Sequence, residues 1–143
     1  MTYDYHGQWD KKTGHIAPIY EHPEDFDKTF NVNHTINYWL EKGLHPSKLI
    51  LGLPLYGQSF TLAKRSENGL NSKSYGGANA GKFTRSRGFL SYYEICDKVK
   101  NKGKIYLDCN LMKNDNNLEI TFSLRLDSGS RSSKTYGSLC LQE

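Results

Sequence analysis

Residues 47–62 read SKLILGLPLYGQSFTL, and the apolar run inside this stretch decides the fold class. Leu49–Leu55 is apolar throughout and is bounded by turn-forming residues. A continuous apolar run of this length is typical of a strand that is buried on both faces, as the strands of a parallel sheet are. We therefore expect a buried strand over residues 49–55, with Tyr56 at its carboxyl end.

The preceding residues predict a strand and a helix. Met1–Tyr5 is rich in Tyr and Thr, which suits a short strand. One helical face is marked by apolar residues at i, i+4, i+7 and i+8, namely Val32, Ile36, Trp39 and Leu40. Gly43 follows in the position of a left-handed cap. Strand, loop, helix and buried strand in this order form a βαβ crossover, which implies a parallel sheet.

The chain changes character after Tyr56. Residues 57–88 are rich in Gly, Ser and Asn and predict an insertion of short strands and turns. Residues 88–100 carry a broad apolar face and predict a second helix. Residues 118–126 alternate strictly between apolar and polar side chains, which is the period of a strand.

Composition narrows the function classes. Aromatic residues make up 13% of the 143 residues, and ten of them are Tyr. Such chains often bind sugars, because aromatic rings stack on the apolar faces of pyranoses, although a Tyr-rich core is the plainer explanation. A net charge of +4 without a dense basic stripe argues against nucleic acid, and no apolar run is long enough for a membrane span. The three Cys lack metal-ligand spacing, so we expect neither a metal nor a cofactor.

Four motifs, in order, resemble glycoside hydrolase family 18, the chitinase family, and particularly its arthropod branch. MTYDYHGQW (residues 1–9) resembles the M-x-Y-D segment of the sixth barrel strand. Residues 47–62 resemble the seventh strand and the start of the chitinase insertion domain. GKFT (81–84) and GFLSYYEIC (88–96) resemble the interior and the helix of that insertion domain.

The resemblance implies an α/β fold, with part of a TIM (β/α)8 barrel and part of an α+β insertion domain. Residues 1–56 would supply strand 6, helix 6 and strand 7 of the barrel, and residues 57–103 part of the insertion. Residues 104–143 lack the resemblance, and we expect a divergent, poorly ordered tail that reflects a frame shift, a retained intron or an alternative exon. The alternation at 118–126 would then be chance. The usual family partner of Cys96 lies near the end of the barrel, and neither Cys109 nor Cys140 sits in that context.

The resemblance also implies a chemistry and a set of site residues. Family 18 enzymes hydrolyse chitin, β-1,4-linked N-acetylglucosamine, with retention, and the acetamido oxygen of the substrate attacks the anomeric carbon. By position, Tyr3 orients that acetamido group and Asp4 hydrogen-bonds the sugar. Tyr56 and Trp9 would contact chitin or chito-oligosaccharides. Gln58 would do so too, although it stands where many relatives have Arg.

The general acid of this chemistry is not in the sequence. In the family it is the Glu of a D-x-x-D-x-D-x-E motif, and no such spacing occurs in the 143 residues. We therefore predict that activity belongs to an intact parent, secreted by a signal upstream, and that this chain is inactive. The alternatives are a chitin-binding lectin-like protein and a truncated gene product without function.

Asn33-His34-Thr35 is an N-x-T sequon, which predicts glycosylation of Asn33 on the outer ring of the barrel.

Overall fold

The computed structural model describes residues 1–64, 66–107, 122–126 and 133–137. These residues contain helices and strands in mixed order, together with a short 3₁₀ helix at Pro46–Lys48. The helices are α1 (Val32–Glu41) and α2 (Tyr92–Lys102). The strands are β1 (Tyr56–Leu62), β2 (Ser74–Gly77), β3 (Phe89–Ser91), β4 (Gly103–Leu107), β5 (Phe122–Leu126) and β6 (Ser133–Gly137).

Helix α1 confirms the helix that was predicted from the spacing of apolar residues. It begins after Asn31, whose side-chain oxygen accepts a hydrogen bond from the amide of His34 at 2.8 Å. Such an N-cap satisfies one of the free amides of the first turn. The helix ends at the predicted glycine, because Gly43 adopts φ +87° and donates to the carbonyl of Leu40 at 2.9 Å. Only part of the apolar face is covered, since Val32 is buried while Trp39 remains 49% exposed.

The two predicted barrel strands are not paired as strands. Residues 1–5 and 49–55 lie beside each other, and Thr2 Oγ1 donates to the carbonyl of Gly52 at 2.8 Å, but neither segment joins the sheet. The expected burial on both faces is also wrong, because Ile50 is 88% and Leu53 71% exposed. A parallel strand is buried only where neighbouring strands flank both edges and helices cover both faces. Among the described residues, nothing supplies those neighbours.

The sheet that does form is antiparallel and lies in the second half of the chain. Its strand order is β2-β1-β6-β5-β4, and β3 also pairs with β1. Strand β1 is therefore paired along both of its edges, with β6 on one and β2 and β3 on the other. The sequence predicted Tyr56 at the end of a strand over 49–55. In the structure, Tyr56 is instead the first residue of β1.

Helix α2 starts later than predicted. Residues 89–91 form β3, which pairs with β1 in the register Gly57↔Leu90, and the helix begins only at Tyr92. Ser91 and Glu94 have the S-x-x-E spacing of a capping box, and the Glu94 half of that motif is formed. The Ser91 amide and hydroxyl both donate to Glu94 Oε2 at 3.0 Å. The sequence carries this signal, and it places the boundary between strand and helix at Ser91.

Glu94 also holds the turn that precedes β3. Its Oε1 accepts from the amides of Phe83 at 2.7 Å and Thr84 at 3.2 Å, and its Oε2 accepts from the Thr84 hydroxyl at 2.8 Å. Burial alone would raise the pKa of this carboxyl, but the hydrogen bonds outweigh burial and lower the pKa to about 2. Glu94 is thus a buried charge that organises the insertion and not a group poised for proton transfer.

A long loop between residue 5 and α1 is hydrogen-bonded to residues 69–74. Thr13 is buried and fixes this loop, because its amide donates to Ser72 and its hydroxyl to Gly69 at 2.9 and 2.8 Å. The Ser74 amide donates back to Lys11 at 2.8 Å. The loop that follows Asp4 is therefore tied to residues 69–74, far away in sequence.

Three strands lie where the sequence predicted a divergent tail. β6 pairs with β1 from Gly57↔Gly137 to Thr61↔Ser133, and β5 joins β4 to β6. Residues 122–126 of the alternating stretch form β5, whereas 118–121 lie outside the described residues. Cys96 is disulfide-bonded. The boundaries of the three predicted units remain predictions.

Candidate functional site

Four of the five predicted sugar-binding residues lie together. Tyr3 and Asp4 come from the amino-terminal segment, and Tyr56 and Gln58 come from the first half of β1. The rings of Tyr3 and Tyr56 meet edge to face, with centroids 6.2 Å apart. Asp4 Oδ1 accepts a hydrogen bond from Gln58 Nε2 at 3.4 Å. Two segments more than fifty residues apart thus present aromatic and polar groups side by side.

The backbone sets the positions of Tyr3 and Asp4. The Tyr3 ring lies over Gly52, where a Cβ atom would come within 3.0 Å of Tyr3 Cε1. Asp4 adopts φ +60°, a left-handed conformation that Asp tolerates better than most residues. Strained backbone of this kind often accompanies functional sites. The strain falls on the residue that the family motif singled out.

Tyr56 is a neutral hydrogen-bond donor here. Burial raises the pKa of its hydroxyl, and the nearby Asp4 carboxylate raises that pKa further. The hydroxyl therefore keeps its proton at physiological pH. Its ring also stacks on Phe89, with centroids 4.8 Å apart and an interplanar angle of 29°. Phe89 was not singled out from the sequence, and the register of β3 against β1 brings it to the site.

Gln58 is oriented by its partner. The Asp4 carboxylate only accepts hydrogen bonds, so the amide nitrogen of Gln58 faces Asp4 and the amide oxygen faces away. That oxygen is buried and has no hydrogen-bond partner. A buried acceptor without a donor is uncommon and costs free energy. An Arg at this position would have offered donors alone.

Trp9 is not part of this group. Its ring lies against Gly7, where the space that a Cβ atom would need is filled by indole atoms. The side chain is 56% exposed. Within the described ranges, no ring contact or hydrogen bond joins Trp9 to Tyr3, Asp4, Tyr56 or Gln58. Its predicted contact with sugar remains a prediction.

Asn33 lies in the first turn of α1 and is exposed. Its Oδ1 accepts a hydrogen bond from Asn37 Nδ2 at 3.3 Å. Across the described part of the chain, no group of three His, Cys, Asp or Glu residues could hold a metal ion. No described helix is long and apolar enough to cross a bilayer.

Comparison with known proteins assigns the family. The sequence model of glycosyl hydrolases family 18 matches residues 1–128. Probable chitinase 10 of Drosophila melanogaster is 59% identical over 103 residues, which is 72% of this chain and 4% of that protein. The chain belongs to glycosyl hydrolases family 18. The match extends past residue 103, where the resemblance in the sequence had ended.

Solved structures agree with the fold. Catalytic domain 2 of the Ostrinia furnacalis Group II chitinase is 47% identical with a TM-score of 0.81, over 96% of this chain and 33% of that one. Human YKL-39, described as a pseudo-chitinase with retained chitooligosaccharide binding, is 32% identical with a TM-score of 0.81, over 96% of this chain and 35% of that one. These likenesses confirm a partial TIM-barrel chitinase fold, and the chain spans about a third of the structures it matches.

Proposed function

We propose that this chain carries one wall of a chitin-binding site, formed by Tyr3, Asp4, Tyr56 and Gln58. The observation that carries the proposal is the position of Asp4, which accepts a hydrogen bond from Gln58 while its neighbour Tyr3 meets the Tyr56 ring edge to face. Aromatic rings beside fixed donors and acceptors are what a pyranose requires, because it has an apolar face and a polar rim.

Each residue has a role in this proposal. Tyr3 donates a hydrogen bond to the acetamido carbonyl of N-acetylglucosamine, and Asp4 accepts one from the sugar. Tyr56 keeps its proton and can donate a hydrogen bond to the sugar. Gln58 is 4% exposed and its amide oxygen is buried, so its role in the wall is to donate a hydrogen bond to Asp4.

In the intact parent, this wall would serve hydrolysis of β-1,4-linked N-acetylglucosamine with retention and substrate assistance. This chain alone would not hydrolyse chitin. General acid catalysis contributes roughly a hundredfold to ten-thousandfold, and the D-x-x-D-x-D-x-E motif that supplies the acid does not occur in the 143 residues.

A second candidate is a lectin-like role without catalysis. The relative YKL-39 favours it, since that protein is described as a pseudo-chitinase that retains chitooligosaccharide binding. The two candidates share the wall of Tyr3, Asp4, Tyr56 and Gln58 and differ only in whether the parent holds the acid.

We also propose that the protein is extracellular. Cys96 is disulfide-bonded, and disulfides persist mainly in oxidising compartments. Chitin is the proposed partner, and neither nucleic acid nor a membrane surface is proposed as one. A mild net charge of +4 without a dense basic stripe supports the first exclusion.

Chitin binding by the 143-residue chain tests the site. The purified chain should bind chitin beads, and Asp4→Ala should weaken retention about tenfold, because removal of a hydrogen bond to a charged group costs about 1.5 kcal/mol or more. Tyr3→Ala should weaken it similarly. Tyr38→Ala is a matched control, since Tyr38 is a half-exposed tyrosine on α1 outside the site.

Two outcomes would contradict the proposal. Equal retention of wild type, Asp4→Ala and Tyr3→Ala would show that the wall does not bind sugar, as would no retention at all. Measurable release of N-acetylglucosamine from a chito-oligosaccharide by the chain alone would contradict its predicted inactivity.

A further inference from the structure

The sequon at residues 33–35 lies at the surface of the fold. Asn33 is the second residue of α1, and its side chain is exposed. Its carboxamide oxygen accepts a long bond of 3.3 Å from Asn37, a residue that is also exposed. Because Asn31 and not Asn33 caps the helix, the Asn33 carboxamide has no structural task in α1. A bulky group on this side chain would extend into solvent.

The third residue of the sequon, Thr35, is less exposed than Asn33 and has a hydrogen-bond partner. Thr35 is half-buried, and its hydroxyl lies 2.6 Å from the Tyr5 hydroxyl. The Thr35 amide donates to Asn31 at 3.1 Å, and the Asn33 amide donates to Ile19 at 2.9 Å. The hydroxyl and both amides of the sequon are therefore occupied once α1 has formed and met the amino-terminal segment.

We propose that Asn33 carries an N-linked glycan that is added before α1 packs against Tyr5. The step is a glycosyl transfer from a lipid-pyrophosphate-linked oligosaccharide. The Asn33 carboxamide nitrogen attacks the anomeric carbon and loses a proton to a base of the transferase. The new C–N bond replaces the C–O bond to the pyrophosphate, which leaves with its electron pair. The proposal rests on the secretory route proposed above.

Glycan transfer must precede the packing of α1, because Asn33 is exposed in the folded chain whereas the Thr35 hydroxyl is bonded. N-x-T recognition requires the threonine hydroxyl and an accessible sequon backbone. In the folded chain that hydroxyl is bonded to Tyr5, and the surrounding backbone is held in a helical turn. Tyr5 precedes the sequon and is already synthesised when Asn33 emerges. Transfer and folding therefore compete for the same hydroxyl.

Translation of the chain behind a cleavable secretory leader into microsomes tests the proposal. Among protease-protected chains, we expect one glycan that peptide N-glycosidase removes, seen as a single mobility shift. Asn33→Gln and Thr35→Ala should abolish the shift, whereas Thr35→Ser should keep it because the hydroxyl remains. Protease-protected wild-type chains without the shift would overturn the proposal.

The timing has its own test. The folded chain, purified without glycan, is offered to solubilised transferase and the lipid-linked donor beside a synthetic peptide of residues 28–40. We expect modification of the peptide and at least tenfold less of the folded chain, with the difference reduced by Tyr5→Phe. Equal modification of peptide and folded chain would show that the Tyr5 contact does not protect the sequon. Neither readout involves chitin, so failure here is distinguishable from failure of the sugar site.

Discussion

Glu94→Ala is expected to destabilise the chain by about 3 kcal/mol, since it removes the buried acceptor of five part-buried hydrogen bonds. The lost partners are the amides of Phe83, Thr84 and Ser91 and the hydroxyls of Thr84 and Ser91. Gly81 closes the site from the other side, because its Cα lies so near the carboxylate that a Cβ atom would overlap it. Urea unfolding of the 143-residue chain, followed by circular dichroism, should show a clear drop in the midpoint.

The pH dependence provides a second readout of the same network. The folded pKa of Glu94 is lowered from 4.5 to about 2, so the charged form is favoured in the folded state. The stability it contributes is fully present above pH 4.5 and is lost as the pH falls towards 2. Wild type should lose stability across this window more steeply than Glu94→Ala. Glu67→Ala is the control, because that carboxylate is exposed and its hydrogen bond within the described chain is to Lys64. Parallel pH profiles for wild type and Glu94→Ala would refute the assigned role.

Gly88→Ala should have a comparably large effect, about 3 kcal/mol. Gly88 adopts φ +76°, and a Cβ atom there would lie 2.5 Å from Gln8 Oε1 and 2.6 Å from Gln8 Cβ. Its own amide and carbonyl bond Ala78 and Ser59, so the backbone cannot shift without loss of the contact between β1 and the segment before β3. Both the left-handed backbone and the filled space oppose a side chain.

Gly43→Ala separates these two causes. Gly43 has φ +87°, but apart from its chain neighbours no atom of the described residues lies within 4 Å of the position that its Cβ would occupy. Gly43→Ala should therefore lower the free energy of unfolding only by the conformational cost of a left-handed alanine, about 1 kcal/mol. The difference between the two variants in urea midpoint reports the crowding by Gln8. Equal losses would mean that the loop carrying Gln8 moves aside, and that the amino-terminal segment is not packed on the insertion as described.

The proposed binding residues could be named from the sequence because the family motif fixes them by order along the chain. Tyr3, Asp4, Tyr56 and Gln58 could each be named from the sequence, and the structure joins them. Their mutual contacts could not be predicted, since a hydrogen bond between residues 4 and 58 depends on how two distant segments meet. Phe89 was missed for the same reason, because its place beside Tyr56 follows from the strand register.

The apolar run at 49–55 is where local pattern and structure differ most. Its composition is that of a strand buried on both faces, yet Leu53 and Leu55 are more than 70% exposed. Burial is a property of what surrounds a segment, and a pattern states only what a segment requires. The same reasoning applies to residues 89–91. Their periodicity predicts a helix, but they form a strand because they pair with β1.

The sequence by itself determined the family, helix α1 with its glycine stop, and the identity of the sugar-site candidates. These depend on short-range pattern and ordered motifs, which a linear chain carries in full. Only the tertiary structure decided which residues hold distant segments of the fold together by hydrogen bonds. It placed Glu94 at the centre of a buried network and tied the loop around Thr13 to residues 69–74. The free energies of such contacts depend on distances between residues remote in sequence, and no local pattern encodes those distances.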